Sequence, residues 1–132
     1  MKTVYPIVLT PVTTGFVVYV PDLSINTEGA DLADAIAMAR DAIGIWGITE
    51  QDAGRAIPDA SPLDSITHED GEIVTLVDID FDAYRRAHDM KTVRKNVTLP
   101  SWLNTLAENA GVNFSQVLQE GLRARLNVQD KY

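Results

Sequence analysis

Thr92-Val93-Arg94-Lys95-Asn96-Val97-Thr98-Leu99-Pro100 alternates strictly as it approaches its proline. On an extended backbone successive side chains point to opposite faces. Val97 and Leu99 therefore share one face, with Val93 and Lys95 in phase, and Arg94, Asn96 and Thr98 share the other. Pro100 ends this strand and can open a helix, where its missing N–H costs nothing. The helix that follows carries Trp102, Leu103, Leu106, Ala107 and Ala110 on one face, and Gly111 fits its stop. Asn113 is placed to cap a second helix, with Gln116 three residues on for a capping box. Phe114, Val117, Leu118, Leu122 and Leu126 form the apolar face of that helix.

One strand and two short helices are too little to be stable alone, since chains below about 40 residues rarely bury enough surface. A lone strand also leaves its backbone groups unpaired. Two copies that pair their strands antiparallel over four helices solve both problems. Such a ribbon fits the DNA major groove, where Arg, Asn and Thr read base edges. The N–H groups that start the second helix, near Asn113, Phe114 and Ser115, suit a phosphate. Singly, each feature has a plainer reading as a solvated strand face or a pair of capping residues. Together they favour DNA.

Outward from this segment the charge changes sign. The 132-residue chain has a formal charge of −8, which taken whole argues against nucleic acid. Residues 1–90 carry −11 and residues 91–132 carry +3, a division expected of two modules with different partners. A hydrophobic fraction of 45% with 23% charged residues is that of a globular protein. There is no cysteine, which excludes a disulfide scaffold, thiol catalysis and Cys-ligated zinc. The N-terminus lacks the pattern of a signal peptide, and no stretch approaches the ~20 apolar residues of a membrane span. A cytoplasmic protein with no membrane partner is expected.

The acidic segment reads as ββ(β)αβ, an α+β layer of sheet and helix. Tyr5–Leu9 and Phe16–Val20 are apolar runs flanking Thr13-Thr14-Gly15, which suits a hairpin loop. Pro6 has no N–H to give, so its position is expected at an edge or a bulge. Ser24 to Gly29 reads as a loop or a short third strand. Asp31 caps a helix whose stripe is Leu32, Ala35, Ile36, Ala39, Ile43 and Trp46, and Gly44 and Gly47 are expected to break or bend its end. Residues 51–72 read as a long irregular connection. Ile73–Ile79 is apolar on both faces until Asp78, which predicts a central strand.

Catalysis finds little support here. Asp78, Asp80 and Asp82 alternate, but an EF-hand loop needs Gly and Glu where Ala83 and Asp89 stand. An apolar strand ending in solvated acids is the simpler reading. His68 and His88 are the only histidines, both read as exposed loop residues, and neither sits in a metal-spaced cluster. No Gly-rich phosphate loop is present.

Arg94 to Pro100, with Leu103, Ala107, Gly111 and Asn113 to Leu118, resembles the ribbon-helix-helix class of repressors (Arc/MetJ/CopG-like) over about residues 91–127. The resemblance implies a homodimer through the ribbon, or a dimer of dimers. Arg94, Asn96 and Thr98 would enter the major groove, and Asn113 to Ser115 would clamp the backbone. Lys95 departs from the class, which often has an apolar residue there; at the ribbon's edge it would reach phosphate. Upstream, Tyr5-Pro6-Ile7-Val8, Phe16 to Leu23, Thr27-Glu28-Gly29, Asp34-Ala35, Ala39 to Ala42, Ile57-Pro58 and Tyr84-Arg85-Arg86 resemble the HicB antitoxin family. That resemblance implies a degenerate RNase H-like domain that binds and inhibits a small basic ribonuclease toxin, HicA, and a C-terminal domain that represses the operon. Ser24-Ile25-Asn26 departs from the turn common in that family.

An RNase H-type site needs clustered carboxylates holding a divalent metal, one of them on the first strand. Tyr5 to Leu9 has none, so no nuclease activity is expected.

The expectation is therefore an α+β chain. A degenerate RNase H-like domain occupies residues 1–82, a linker 83–90, and a ribbon-helix-helix dimerisation and DNA-binding domain 91–132. Its function would be a type II antitoxin and autorepressor, not an enzyme and without cofactor or metal. Its partners would be a HicA-like toxin and operator DNA. Arg94, Asn96, Thr98, Lys95, Asn113 and Ser115 are the candidate DNA contacts, and Asp22, Glu28, Asp78 and Asp80 the candidate toxin contacts. Two alternatives stand beside it: a stand-alone ribbon-helix-helix repressor with a ligand-sensing N-terminal domain, and a metal-dependent nuclease using Asp78, Asp80 and Asp82.

Overall fold

The computed structural model describes residues 2–128. The chain forms two compact units, one ending at His88 and the other beginning at Asp89.

In the first unit β1 (Lys2–Val12), β2 (Gly15–Val20), β3 (Ile25–Gly29) and β4 (Ile73–Asp80) make an antiparallel sheet in the order β3-β2-β1-β4. Pairing of Leu9 with Val18 and of Tyr5 with Val77 puts the odd-numbered residues of β1 on one face with Val18, Val20, Val77 and Ile79. Against that face packs α1 (Leu32–Asp52), through Ala35, Ala39 and Ile43. Asp31 caps α1 as expected, accepting from the N–H of Asp34 at 2.8 Å, a contact worth about 0.5–2 kcal/mol.

Of the two readings of Ser24 to Gly29, the strand is the one observed, over Ile25–Gly29. The expectation that Ile73–Ile79 is central is wrong, because β4 is an edge strand. Its apolar residues on the outer face, such as Leu76, are exposed in this chain, and apolarity on both faces only mimicked a central strand. β1 takes the centre instead. Pro6 nonetheless falls where β1 has one neighbour, since the β2 ladder begins only at Val8.

The glycines of α1 do not break it; the helix runs to Asp52. Residues 81–88 form α2 (Phe81–His88), and its rings account for the glycines: a β-carbon on Gly44 would strike the Tyr84 ring, and one on Gly47 the Phe81 ring. Both glycines make room for aromatic side chains, a packing reason that outweighs their cost to the helix. The stretch 83–90, read as a linker, therefore contains most of a helix whose Phe81, Ala83 and Tyr84 are buried. His88 also differs from the expected loop residue: it ends α2 with its ring stacked on Tyr84, centroids 3.9 Å apart. The long connection after α1 contains one 3-10 turn, Leu63–Ser65. It is fastened by the Tyr5 hydroxyl, which donates to the Pro58 carbonyl at 2.6 Å.

In the second unit α3 (Ser101–Asn109) and α4 (Phe114–Leu126) form as expected. Gly111 takes a φ of +70° just beyond α3, and the Asn113 side chain caps α4, accepting from Gln116 N–H at 3.1 Å. The capping box is only half made, because the Gln116 amide turns to Glu120. Residues 92–99, expected as a strand, have no regular secondary structure in the single chain. A strand needs a ladder partner, and one chain offers none there.

Candidate functional site

The four acidic residues singled out on the first unit have different occupations. Asp22 accepts hydrogen bonds from both the backbone N–H and the hydroxyl of Ser61, closing the long connection onto the end of β2. With Asp59, and after burial itself, it raises the pKa of Tyr5. Asp78 pairs with Arg40 at 3.1 Å and with Lys2 at 3.9 Å, while the Arg40 Nε–H caps the Asp78 carbonyl. Asp80 precedes α2 and accepts from the N–H groups of Ala83 and Asp82. The Ala83 hydrogen bond in particular holds its carboxyl below the usual range. Glu28 is the exception. It is exposed, and among the described residues its side chain has no hydrogen bond or ion pair.

Asp78 and Asp80 share the outer face of β4, but Asp82 already lies in α2, where strand alternation has ended. Among the described residues no three His or acidic groups gather where they could hold a metal ion.

Glu28 lies on the sheet face opposite α1, directly across from Val17. Val12, Val17 and Tyr19 on that face are 44%, 37% and 40% exposed. Sequence reading passed over these apolar residues, because Phe16–Val20 is apolar at every position and gives no alternation to assign faces. Beside them is a hollow of about 350 Å³, lined by Val12, Phe16, Glu28, Asp34 and Met38 among others.

In the second unit Arg94, Lys95, Asn96 and Thr98 are all exposed, as are Asn113 and Ser115. A groove lined by Thr92–Val97 and Leu99 on one side and by Phe114, Val117, Leu118 and Leu122 of α4 on the other runs through this unit. No described side chain from Asp89 onward is buried. Trp102, Leu106 and Leu126 are at least 60% exposed, far from the state such residues adopt in a completed fold.

The chain is thus a sheet-and-helix unit with a closed core, followed by an irregular segment and two helices in which no described side chain is buried. The chain belongs to the HicB-like antitoxin family of bacterial toxin–antitoxin systems, whose model matches residues 5–120. The family is one of antitoxins rather than enzymes. The fold is similar to that in a toxin–antitoxin complex from Streptococcus pneumoniae, with 22% identity, a TM-score of 0.60, and coverage of 95% of this chain and 99% of that one. It is similar also to the antitoxin HicB of Burkholderia pseudomallei, with 22% identity, a TM-score of 0.55, and coverage of 95% and 97%. A HicA3 and HicB3 toxin–antitoxin complex matches with 27% identity and a TM-score of 0.50, over 59% of this chain and 99% of that one. None of the curated proteins matches the chain in sequence.

Proposed function

We propose that the first unit, a degenerate RNase H-like domain, binds and neutralises a HicA-type ribonuclease toxin. The second unit pairs with a second copy as a ribbon-helix-helix dimer and represses the operon that encodes both proteins. The observation that carries the dimer is the absence of any buried side chain among the described residues of the second unit, although α3 and α4 each present an apolar face. A second copy supplies what is missing: a ladder partner for residues 92–99 and an apolar surface for Leu103, Leu118 and Leu122.

In that dimer Arg94, Asn96 and Thr98 project from the ribbon to base edges, and the N-terminus of α4 meets a phosphate. Lys95, in phase with Val97, lies at the ribbon's edge and adds a phosphate contact. Toxin neutralisation is steric and electrostatic. The acidic first unit attracts a basic partner and covers its RNA-binding surface, without chemistry of its own.

The experiment is an RNA-cleavage assay with the toxin encoded beside the gene. Equimolar protein is expected to abolish cleavage, and full cleavage in its presence refutes the reading.

A further inference from the structure

Three of the four acidic residues considered for partner binding already hold the fold together. Asp22 closes the long connection, Asp78 joins β4 to α1 and β1, and Asp80 caps α2. Glu28 does none of this, and it stands beside the exposed Val12, Val17 and Tyr19 and the hollow that Asp34 and Met38 complete. The backbone beside the hollow is closely packed. A β-carbon on Gly15, at a φ of +144°, would strike the carbonyl of Gly29, and one on Gly29 would strike the backbone of Ala35. The hairpin, the end of β3 and the start of α1 are therefore packed backbone to backbone around it.

We infer that this hairpin end of the outer sheet face, centred on Glu28 and Val17, is the surface that receives the toxin, a refinement that rests on the function proposed above. The occupant is a basic protein that offers Arg or Lys side chains. Their aliphatic stems lie along Val12, Val17 and Tyr19, and a charged head reaches Glu28. Apolar floor and anionic rim together match an amphipathic cation better than either a purely apolar or a purely charged partner. A second copy of this chain is disfavoured at the same face, because residues 1–90 carry −11 and like charges would meet. The opposite end of the outer face, with Asp78 already neutralised by Arg40 and Lys2, offers less unpaired charge.

The test is calorimetric titration of the full-length protein with the toxin encoded beside its gene. Wild type is compared with Glu28→Arg, Val17→Lys and a charge-matched control outside this surface, Asp64→Arg. Val17→Lys places a cation across from Glu28, a favourable cross-strand pair that preserves the strand while opposing a basic partner. Glu28→Arg and Val17→Lys are each expected to weaken toxin binding at least ~10-fold, as loss of a central contact does. Asp64→Arg is expected to change it by less than ~3-fold, the effect of a distant charge. Wild-type affinity in Val17→Lys, or equal losses in Glu28→Arg and Asp64→Arg, overturns the assignment of this face and leaves the toxin reading standing. A wild-type protein that gives no binding overturns both. If Val17→Lys lowers the oligomer mass without toxin, measured by light scattering, the face belongs to a second copy and the assignment also falls.

Discussion

A Gly47→Ala substitution sets helix propensity against packing. In an exposed helix interior alanine is favoured over glycine by about 1 kcal/mol. Gly47 is buried, however, and a β-carbon there would overlap the edge of the Phe81 ring at Cε1, Cδ1 and Cζ. Phe81 is fully buried within the cluster that includes Ile43, Ile79 and Tyr84, so its ring cannot swing into solvent without leaving a hole. Ordinary overpacking costs about 1–3 kcal/mol and loss of a buried phenylalanine about 3–5. A cost between the two, about 2–4 kcal/mol, less the propensity gain, leaves a net destabilisation of about 1–3 kcal/mol. Urea unfolding at fixed protein concentration measures it, with Trp46 fluorescence as the probe. Trp46 packs against the first unit's core, and a Trp102→Phe background removes the second unit's signal. With a slope of about 1–3 kcal/mol per molar urea, the midpoint falls by roughly 1 M. Phe81→Leu in the Gly47→Ala protein should be milder than in wild type, with a coupling of about 1 kcal/mol or more. A Gly47→Ala protein as stable as wild type, or strict additivity of the two changes, refutes the packing account.

Asp80→Ala removes the cap of α2 and is expected to cost about 1 kcal/mol at neutral pH, read from the same unfolding curves. The Ala83 N–H lowers the carboxyl's pKa in the folded state, so the stability it contributes is complete above the unfolded value near 4 and is lost as pH falls through the folded value. The difference between Asp80→Ala and wild type should therefore shrink in acid. Arg94→Ala should weaken operator binding by about 1–3 kcal/mol and relax base preference, and a gel-shift series showing equal affinity would sink its assignment to a base edge. Leu118→Asp places a charge on the apolar face of α4 and should reduce the mass seen by light scattering to a single chain. An unchanged oligomer would show that the two copies meet elsewhere.

Local grammar carried most of what was legible in the sequence. Asp31, Gly111 and Asn113 declared helix ends because capping is settled within four residues by hydrogen bonds to the nearest N–H groups. What failed depended on distant neighbours. Gly44 and Gly47 looked like helix breakers because nothing near them in sequence announces that Tyr84 and Phe81 lie on top of them. β4 looked central because its outer face is apolar, and position in a sheet depends on which strands pair. The candidate toxin contacts show the same division. Charge could be counted along the chain, but whether Asp22, Asp78 or Asp80 was already engaged depended on Ser61, Arg40 and a turn of helix. The DNA candidates on residues 92–99 were singled out by strand parity, which is a local property, and all six candidates are exposed.

On the proposed reading, the two units differ in how their activities depend on concentration. The first unit closes its own core, so toxin capture requires no second copy. The described residues of the second unit bury no side chain by themselves, so its folding and its DNA contacts follow the monomer–dimer equilibrium. As the protein is depleted, operator binding should therefore be lost before toxin binding. The charge of −8 sharpens the separation: residues 1–90, at −11, weaken non-specific attraction to DNA, and residues 91–132, at +3, supply too little charge to offset that. DNA binding then rests on both strands of the ribbon being present at once, which makes repression the first of the two functions to report a falling supply of antitoxin.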